Sequence, residues 1–434
     1  MTRATLAPLV GALEDARERT LALVADVPDE RLAVPRLRII NPILWELGHV
    51  AWFQEKWCLR RGGAPSLFRH ADALYDSAAV AHDTRWELDI PTRAATLGYM
   101  RAVLDAVGER EARAGARPED ADFIRLALFH EDMHGEAMLY TRQTLAFPRP
   151  PHVRSAPPAR GGPFPGDAEI PAGRFRLGAE PGAFEFVFDN EQWAHDVAIE
   201  RPFRVAKAPV TESEFAGFVD RGGYGRREFW SDAGWRWRHE AGASCPLYWT
   251  RSGDGRWFRR DFDRLVPLDE HLPVLHVNAF EAEAYCRFAG RRLPTEAEWE
   301  AAALAVPCGA GLGPGKRAFP WGDAAPAADV AALDLASIGR ADVGAHAAGD
   351  SAFGCRQMIG NVWEWTSSPF EPYPGFAPGP YREYSEPWFG DHRVLRGGCF
   401  ATRARLLRGT WRNFYTPDRR DVFAGFRTAA DAPR

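Results

Sequence analysis

The stretch ADFIRLALFHEDMHGEAMLYTRQTL, residues 121–145, decides how the first third of the chain folds. It contains no proline, and its apolar residues return every three to four positions, the period of an α-helix with one buried face. His130 and His134 stand four apart in it. One imidazole therefore lies a turn above the other, and the two can share a metal ion. The same five residues fit the pattern H-E-x-x-H, in which Glu131 would be the general base of a zinc hydrolase. Phe129, Met133, Met138 and Leu139 crowd the neighbourhood with apolar groups. Burying two unpartnered imidazoles among them is costly, which favours a metal site over a solvated pair.

Three further helices assemble around this one. Thr5–Ala25 places Leu6, Val10, Leu13, Leu21 and Leu23 broadly on one side. Asn41 reads as an N-cap with Pro42 at the first helical position. Ile43, Leu44, Leu47, Val50 and Ala51 then form a helical stripe, and Thr92–Val107 repeats the pattern. With an irregular connection over residues 61–91, this is a four-helix bundle covering residues 1–147. Residues 148–166, PRPPHVRSAPPARGGPFPG, are dominated by proline and glycine and read as a linker or strap. Beyond it, residues 167–434 carry short apolar stretches such as Phe175–Gly178 and Arg393–Arg396 between turn residues. One helix stands out there, Ala279–Ala302. The fold class is multidomain, α followed by α+β.

Composition narrows the function classes. In 434 residues, 54 Lys and Arg face 59 Asp and Glu, a net charge of -5. Such a balance excludes a protein built on nucleic-acid backbones, which needs a basic footprint. No apolar run approaches the roughly 18 residues of a membrane span, and Glu14 and Asp15 come too early for a signal peptide. The expectation is a cytoplasmic monomer or homodimer. Six scattered cysteines without a C-x-x-C pair read as reduced thiols.

A metal at His130 and His134 needs a third ligand. After Glu136 the next carboxylate is Asp167, beyond the proline-rich segment. Upstream, His49 sits beside the apolar stripe of the second helix, next to Gly48, which permits a close approach. His49, His130 and His134 make a three-histidine set with coordination positions left open, and zinc, copper and iron all suit imidazole.

Two segments of this half, Leu44–Glu55 (LWELGHVAWFQE) and Phe129–Ala137 (FHEDMHGEA), resemble the iron-binding DinB-type bundle of the ergothioneine-type synthases. In the second half Pro209-Val210-Thr211, Arg291–Glu300 (RRLPTEAEWE), Gly360–Trp365 (GNVWEW), Leu395–Gly398 (LRGG) and Gly425-Phe426-Arg427 resemble the formylglycine-generating-enzyme, C-type-lectin-like fold. The residues themselves read as scaffold: indoles fill volume, and carboxylates such as Glu296 and Glu298 fix loops or hold a structural calcium. Thr402 and Leu407 stand where formylglycine-generating enzymes place copper-binding thiols, which disfavours sulfatase activation.

The resemblance implies iron(II) at His49, His130 and His134, dioxygen as co-substrate, and hercynine, the trimethylated betaine of histidine, as substrate. It places hercynine at Asn413, Phe414 and Tyr415, with Gln54 from the bundle. A quaternary ammonium has no N–H donors, so ring faces of Phe414 and Tyr415 and amide oxygens of Asn413 and Gln54 suit it. Tyr373 and Tyr415 are the candidate proton donors. The stretch Tyr384–Gly398 is most similar to the selenium-transferring branch, which joins a selenosugar to hercynine. A thiol donor, cysteine or γ-glutamylcysteine, is the alternative, and a zinc hydrolase the second. Arg403, Arg405 and Arg408 read as solvated surface rather than as a carboxylate clamp.

Overall fold

The computed structural model describes residues 7–113, 118–153, 156–309 and 311–432. The chain divides into two compact units, Met1–Arg154 and Ser155–Arg434.

In the first unit, α1 spans Ala7–Ala22, α2 Ile43–Cys58, α3 Ala71–Tyr75, α4 Arg93–Arg113 and α5 Pro118–Thr144. The four long helices form the bundle: α2 packs on α4 and α5, and α1 packs on α5 and α4. Leu13, Ala16 and Thr20 supply the buried stripe of α1, and Leu23 continues it just past the helix end. Thr5 and Leu6 lie outside the described residues. The sequence predicts one buried face for α2, whereas Glu46, His49, Gln54 and Glu55 are buried as fully as its apolar residues. Each of these side chains has at least one hydrogen-bond partner, which lets the helix run through the core. Asn41 does not cap α2. The position before the helix is Pro42, without a side-chain cap, and the Asn41 Oδ1 accepts from Arg85 at 2.6 Å instead. Thr92 does cap α4, its hydroxyl accepting from the Ala95 N–H.

The connection between α2 and α4 is fastened rather than loose. Trp45 donates to the Leu74 carbonyl at 2.7 Å, and Trp52 to Asp72 at 2.6 Å. Buried Glu55 receives the hydroxyls of Ser66 and Tyr99, both at 2.7 Å. These bonds lay α3 along α2.

The second unit is α+β. A four-stranded sheet runs in the order 413–415, 393–396, 363–369, 424–425, with the last strand parallel to its neighbour and the others antiparallel. A three-stranded antiparallel sheet places 203–206 between 167–170 and 429–431, so the first and last strands of the unit flank one central strand. Smaller sheets pair 173–177 with 195–199, 305–308 with 311–316, and the meander 249–251, 257–261, 264–267. The helix expected over Ala279–Ala302 is two, α8 (Ala279–Phe288) and α9 (Glu296–Leu304), preceded by α6 (Glu212–Asp220) and α7 (Asp232–Glu240). Gly290, at φ +65°, ends α8, and Thr295 starts α9 with a capping box closed by Glu298. The second half of the proline- and glycine-rich segment belongs to this unit. Gly161 and Gly162 both donate to Asp342 at 3.0 Å, and Arg356 lies over the Phe164 ring at 3.8 Å.

The shared motifs build charge pairs inside this core. Arg427 forks onto Glu364 at 2.6 and 2.7 Å, and Trp299 donates to the same carboxylate at 2.8 Å. Arg396 joins Glu296 at 2.8 Å and Glu300 at 2.6 Å, and Arg412 also reaches Glu296. Glu298 pairs with Arg292. These motif carboxylates are thus neutralised by guanidinium groups. Gly397 and Gly425 allow the close packing, since a Cβ would fall 2.5 Å from the Met358 oxygen and 2.3 Å from the Val274 oxygen. All six cysteines are free thiols. No described helix is long and apolar enough to cross a membrane.

Candidate metal centre

His130 and His134 come from one face of α5, a turn apart, and His49 comes from α2, which packs against it. One ring nitrogen from each histidine lies within 4.8 Å of the others. Ring centroids are 5.0 Å apart for His49–His130 and for His49–His134, and 4.4 Å for His130–His134. Among the described residues this is the one group of three or more potential ligands so arranged.

The rings are held from behind. The Nδ1 of His49 lies 2.7 Å from the Tyr75 carbonyl, which can only accept, so Nδ1 carries the proton and Nε2 keeps its lone pair. The Nδ1 of His134 lies 2.7 Å from Oε1 of Glu46 and is fixed in the same tautomer. His130 stacks on Phe53 at 3.6 Å and 4°. His49 stacks on Trp45 at 4.8 Å and 10°. Burial is the largest cause that pushes the pKa of His49 and of His130 well below the ordinary range, followed by the neighbouring His134. Neutral imidazole is the form that ligates metal. A borderline cation, iron(II) among them, fits this donor set.

Gly48 makes the Tyr75 anchor possible. A Cβ at residue 48 would fall 2.2 Å from the Tyr75 ring. Gly48→Ala is therefore expected to displace Tyr75, lower the stability of the bundle by about 1–3 kcal/mol and weaken metal uptake. Urea melts and anaerobic iron titration of the variant measure both.

The hydrolase alternative fails on Glu131. Its carboxylate is buried and bound by Arg17, at 2.8 Å through Nε and 3.2 Å through Nη2, so it is not free to act as a base. Arg17 also donates to Oε1 of Gln54 at 2.7 Å. The oxygen expected to face a quaternary ammonium is engaged, and because arginine only donates, the Gln54 amide cannot be turned round.

The other expected site residues lie in the second unit. Asn413, Phe414 and Tyr415 form one edge strand, whose side chains alternate between faces. Asn413 and Tyr415 share one face, and Phe414 takes the other. The Phe414 ring stacks on Phe370 at 4.0 Å, which leaves one ring face for any ligand. Arg419 lies over Tyr415 at 4.9 Å. Tyr373 is buried, donates to Glu296 at 3.2 Å and carries the Arg412 guanidinium over its ring at 4.1 Å. Burial raises its pKa well above the ordinary phenol range. Arg408 is not solvated as expected: it is 4% exposed and forks onto Glu191, with its closest contact at 2.7 Å. Thr402 stands where a thiol was missing, its hydroxyl accepting from the Cys399 N–H at 2.9 Å.

Residues 154–432 match the sulfatase-modifying factor enzyme 1-like domain, and residues 12–138 match the DinB superfamily. A hercynine oxygenase of Mycolicibacterium thermoresistibile is 41% identical over 99% of this chain and 96% of its own. The chain belongs to the hercynine oxygenase family. The hercynine oxygenase of Mycobacterium tuberculosis is 40% identical over 96% of this chain and 97% of its own. Similarity to the formylglycine-generating enzyme of Streptomyces coelicolor is lower, 32% over 64% of this chain and 92% of that protein. Within the hercynine oxygenase family, Glu46 and Tyr75 of this chain are residues that sequence reading passed over. The signal for Glu46 was present in WELGH: a carboxylate three residues before His49 must share its helix face.

Proposed function

We propose that this chain is an iron(II)- and dioxygen-dependent non-haem oxidoreductase that forms a carbon–chalcogen bond at the imidazole of hercynine. The observation that carries this reading is the cluster of buried His49 and His130 with half-buried His134, in a chain similar, over nearly its whole length, to hercynine oxygenases. Iron(II) held by these imidazoles would supply redox chemistry with dioxygen and would favour the ionised form of a thiol or selenol donor.

The protein's own groups do the rest. The Tyr75 carbonyl and the Glu46 carboxylate hold the ligand rings in one tautomer. Trp45 and Phe53 wall off two of them from water. Asn413, Phe414 and Tyr415 bind hercynine, the amide oxygen and ring faces meeting the trimethylammonium group. Gln54 contributes its amide N–H groups rather than its oxygen. Tyr415 or Tyr373 donates the proton consumed as oxygen is reduced, and single Tyr→Phe variants tell them apart.

For the donor we propose a selenosugar, which makes the product selenoneine-like. Residue 415 is an uncharged tyrosine, suited to stacking on a sugar. Arg408 is spent on Glu191, and Arg403 lies 3.3 Å from Asp334, so neither supports a clamp for an amino-acid carboxylate. The second reading, a sulfoxide synthase of the ergothioneine type, is favoured by the 40–41% identity to hercynine oxygenases. Competition separates them. Iron-loaded protein with hercynine, oxygen and an equal mixture of selenosugar, thiosugar, cysteine and γ-glutamylcysteine is expected to give the sugar conjugates by mass. The thiosugar-to-cysteine ratio decides, because the heteroatom is the same in both. Preference for cysteine or γ-glutamylcysteine establishes the second reading instead.

A further inference from the structure

We infer that Glu46 is a positioning residue of the metal centre, which sets the charge of the site through His134 and so tunes the iron toward its oxidised form. The inference rests on the three-histidine reading above and goes beyond it. Three neutral imidazoles bring no negative charge to a divalent ion. In a buried site the nearest carboxylate then governs the electrostatics, because low local polarity strengthens its effect.

Glu46 meets that description. It is 1% exposed, and its Oε1 lies 2.7 Å from the Nδ1 of His134. Glu46 and His49 stand three apart on α2, so one helix supplies a ligand and also the group that fixes a ligand of α5. His49 is held by a neutral carbonyl, whereas His134 is held by an anion. The two ligands are therefore unequal. Accepting the Nδ1 proton's hydrogen bond, the carboxylate pushes electron density into the His134 ring and makes it the stronger donor to a metal. Positive charge lies on the other side. Arg85 sits over Trp45 at 4.0 Å, and Trp45 stacks on His49. The centre is thus polarised, anionic behind His134 and cationic behind His49. An ion gaining positive charge is stabilised on the His134 side.

Two variants and three readouts test this. Glu46→Gln keeps the acceptor oxygen and the shape but removes the charge; Glu46→Ala removes both. In Glu46→Gln, iron(II) affinity measured anaerobically is expected to fall roughly 10–100-fold, with the ferric/ferrous potential rising and the melting temperature of the metal-free protein changing little. Glu46→Ala is expected to lose more affinity. A purely structural Glu46 would shift the melting temperature and leave the potential of the remaining bound iron where it was; that result overturns the inference. So does unchanged affinity and potential in both variants. Wild-type protein that takes up no iron overturns the function reading itself, a distinct outcome read before either variant is made.

Discussion

Replacing His49 by alanine is expected to strip iron from the protein and abolish hercynine-dependent oxygen uptake. His130 and His134 remain a turn apart on α5, but two imidazoles on one helix hold a divalent ion far more weakly than three from two helices. The loss should exceed the roughly 100-fold that changes behind the ligands produce. Folding provides the control. The variant leaves the Tyr75 carbonyl without its partner in a buried position, a cost of about 1–3 kcal/mol, so circular dichroism should still show a helical bundle. Metal analysis after anaerobic loading checks the prediction. Full retention of zinc or iron by the folded variant contradicts it.

The second large effect lies in the other unit. Arg427→Met removes one partner of a charge pair in which Arg427 and Glu364 are 0% and 1% exposed. Arg427 also holds the carbonyls of Ala206, Lys207 and Arg356. Glu364 would be left buried beside the Trp299 indole without the guanidinium that pairs with it. Breaking such a pair from one side costs about 3–5 kcal/mol. For a unit of this size the melting temperature is expected to drop by roughly 10 °C, as calorimetry would show. A fall below about 1 kcal/mol would mean that the core relaxes and readmits water around the carboxylate.

What was legible in the sequence follows the range of each interaction. Helical periods are local, and α1, α2, α4 and α5 stand where Thr5–Ala25, Ile43–Ala51, Thr92–Val107 and Ala121–Leu145 predict them, within the described residues. The strand at Arg393–Arg396 is likewise written in its own residues. His130 and His134 are related by helix geometry alone, and His49 was found by the demand for a third donor. The misses depend on partners far away in the chain. Asn41 looks like a cap until Arg85, forty-four residues on, takes its oxygen. Gln54 looks like a ligand-facing amide until Arg17 of α1 occupies it. Arg408 looks solvated until Glu191 appears beneath it. Two of the missed features were local after all. The capping boxes Thr211–Glu214 and Thr295–Glu298 announce α6 and the break before α9, but they precede helices of nine residues each, too short for a clear apolar period.

Oxygen uptake shows whether iron at these three histidines couples dioxygen to hercynine. Protein loaded anaerobically with iron(II), given hercynine and a selenosugar or thiol donor, is placed in an oxygen electrode with product mass read in parallel. Oxygen consumption is expected to require hercynine and the donor together, to track a hercynine–chalcogen conjugate, and to disappear in His49→Ala. Conjugate formed equally well by zinc-loaded protein, or oxygen uptake that persists in His49→Ala, would contradict it.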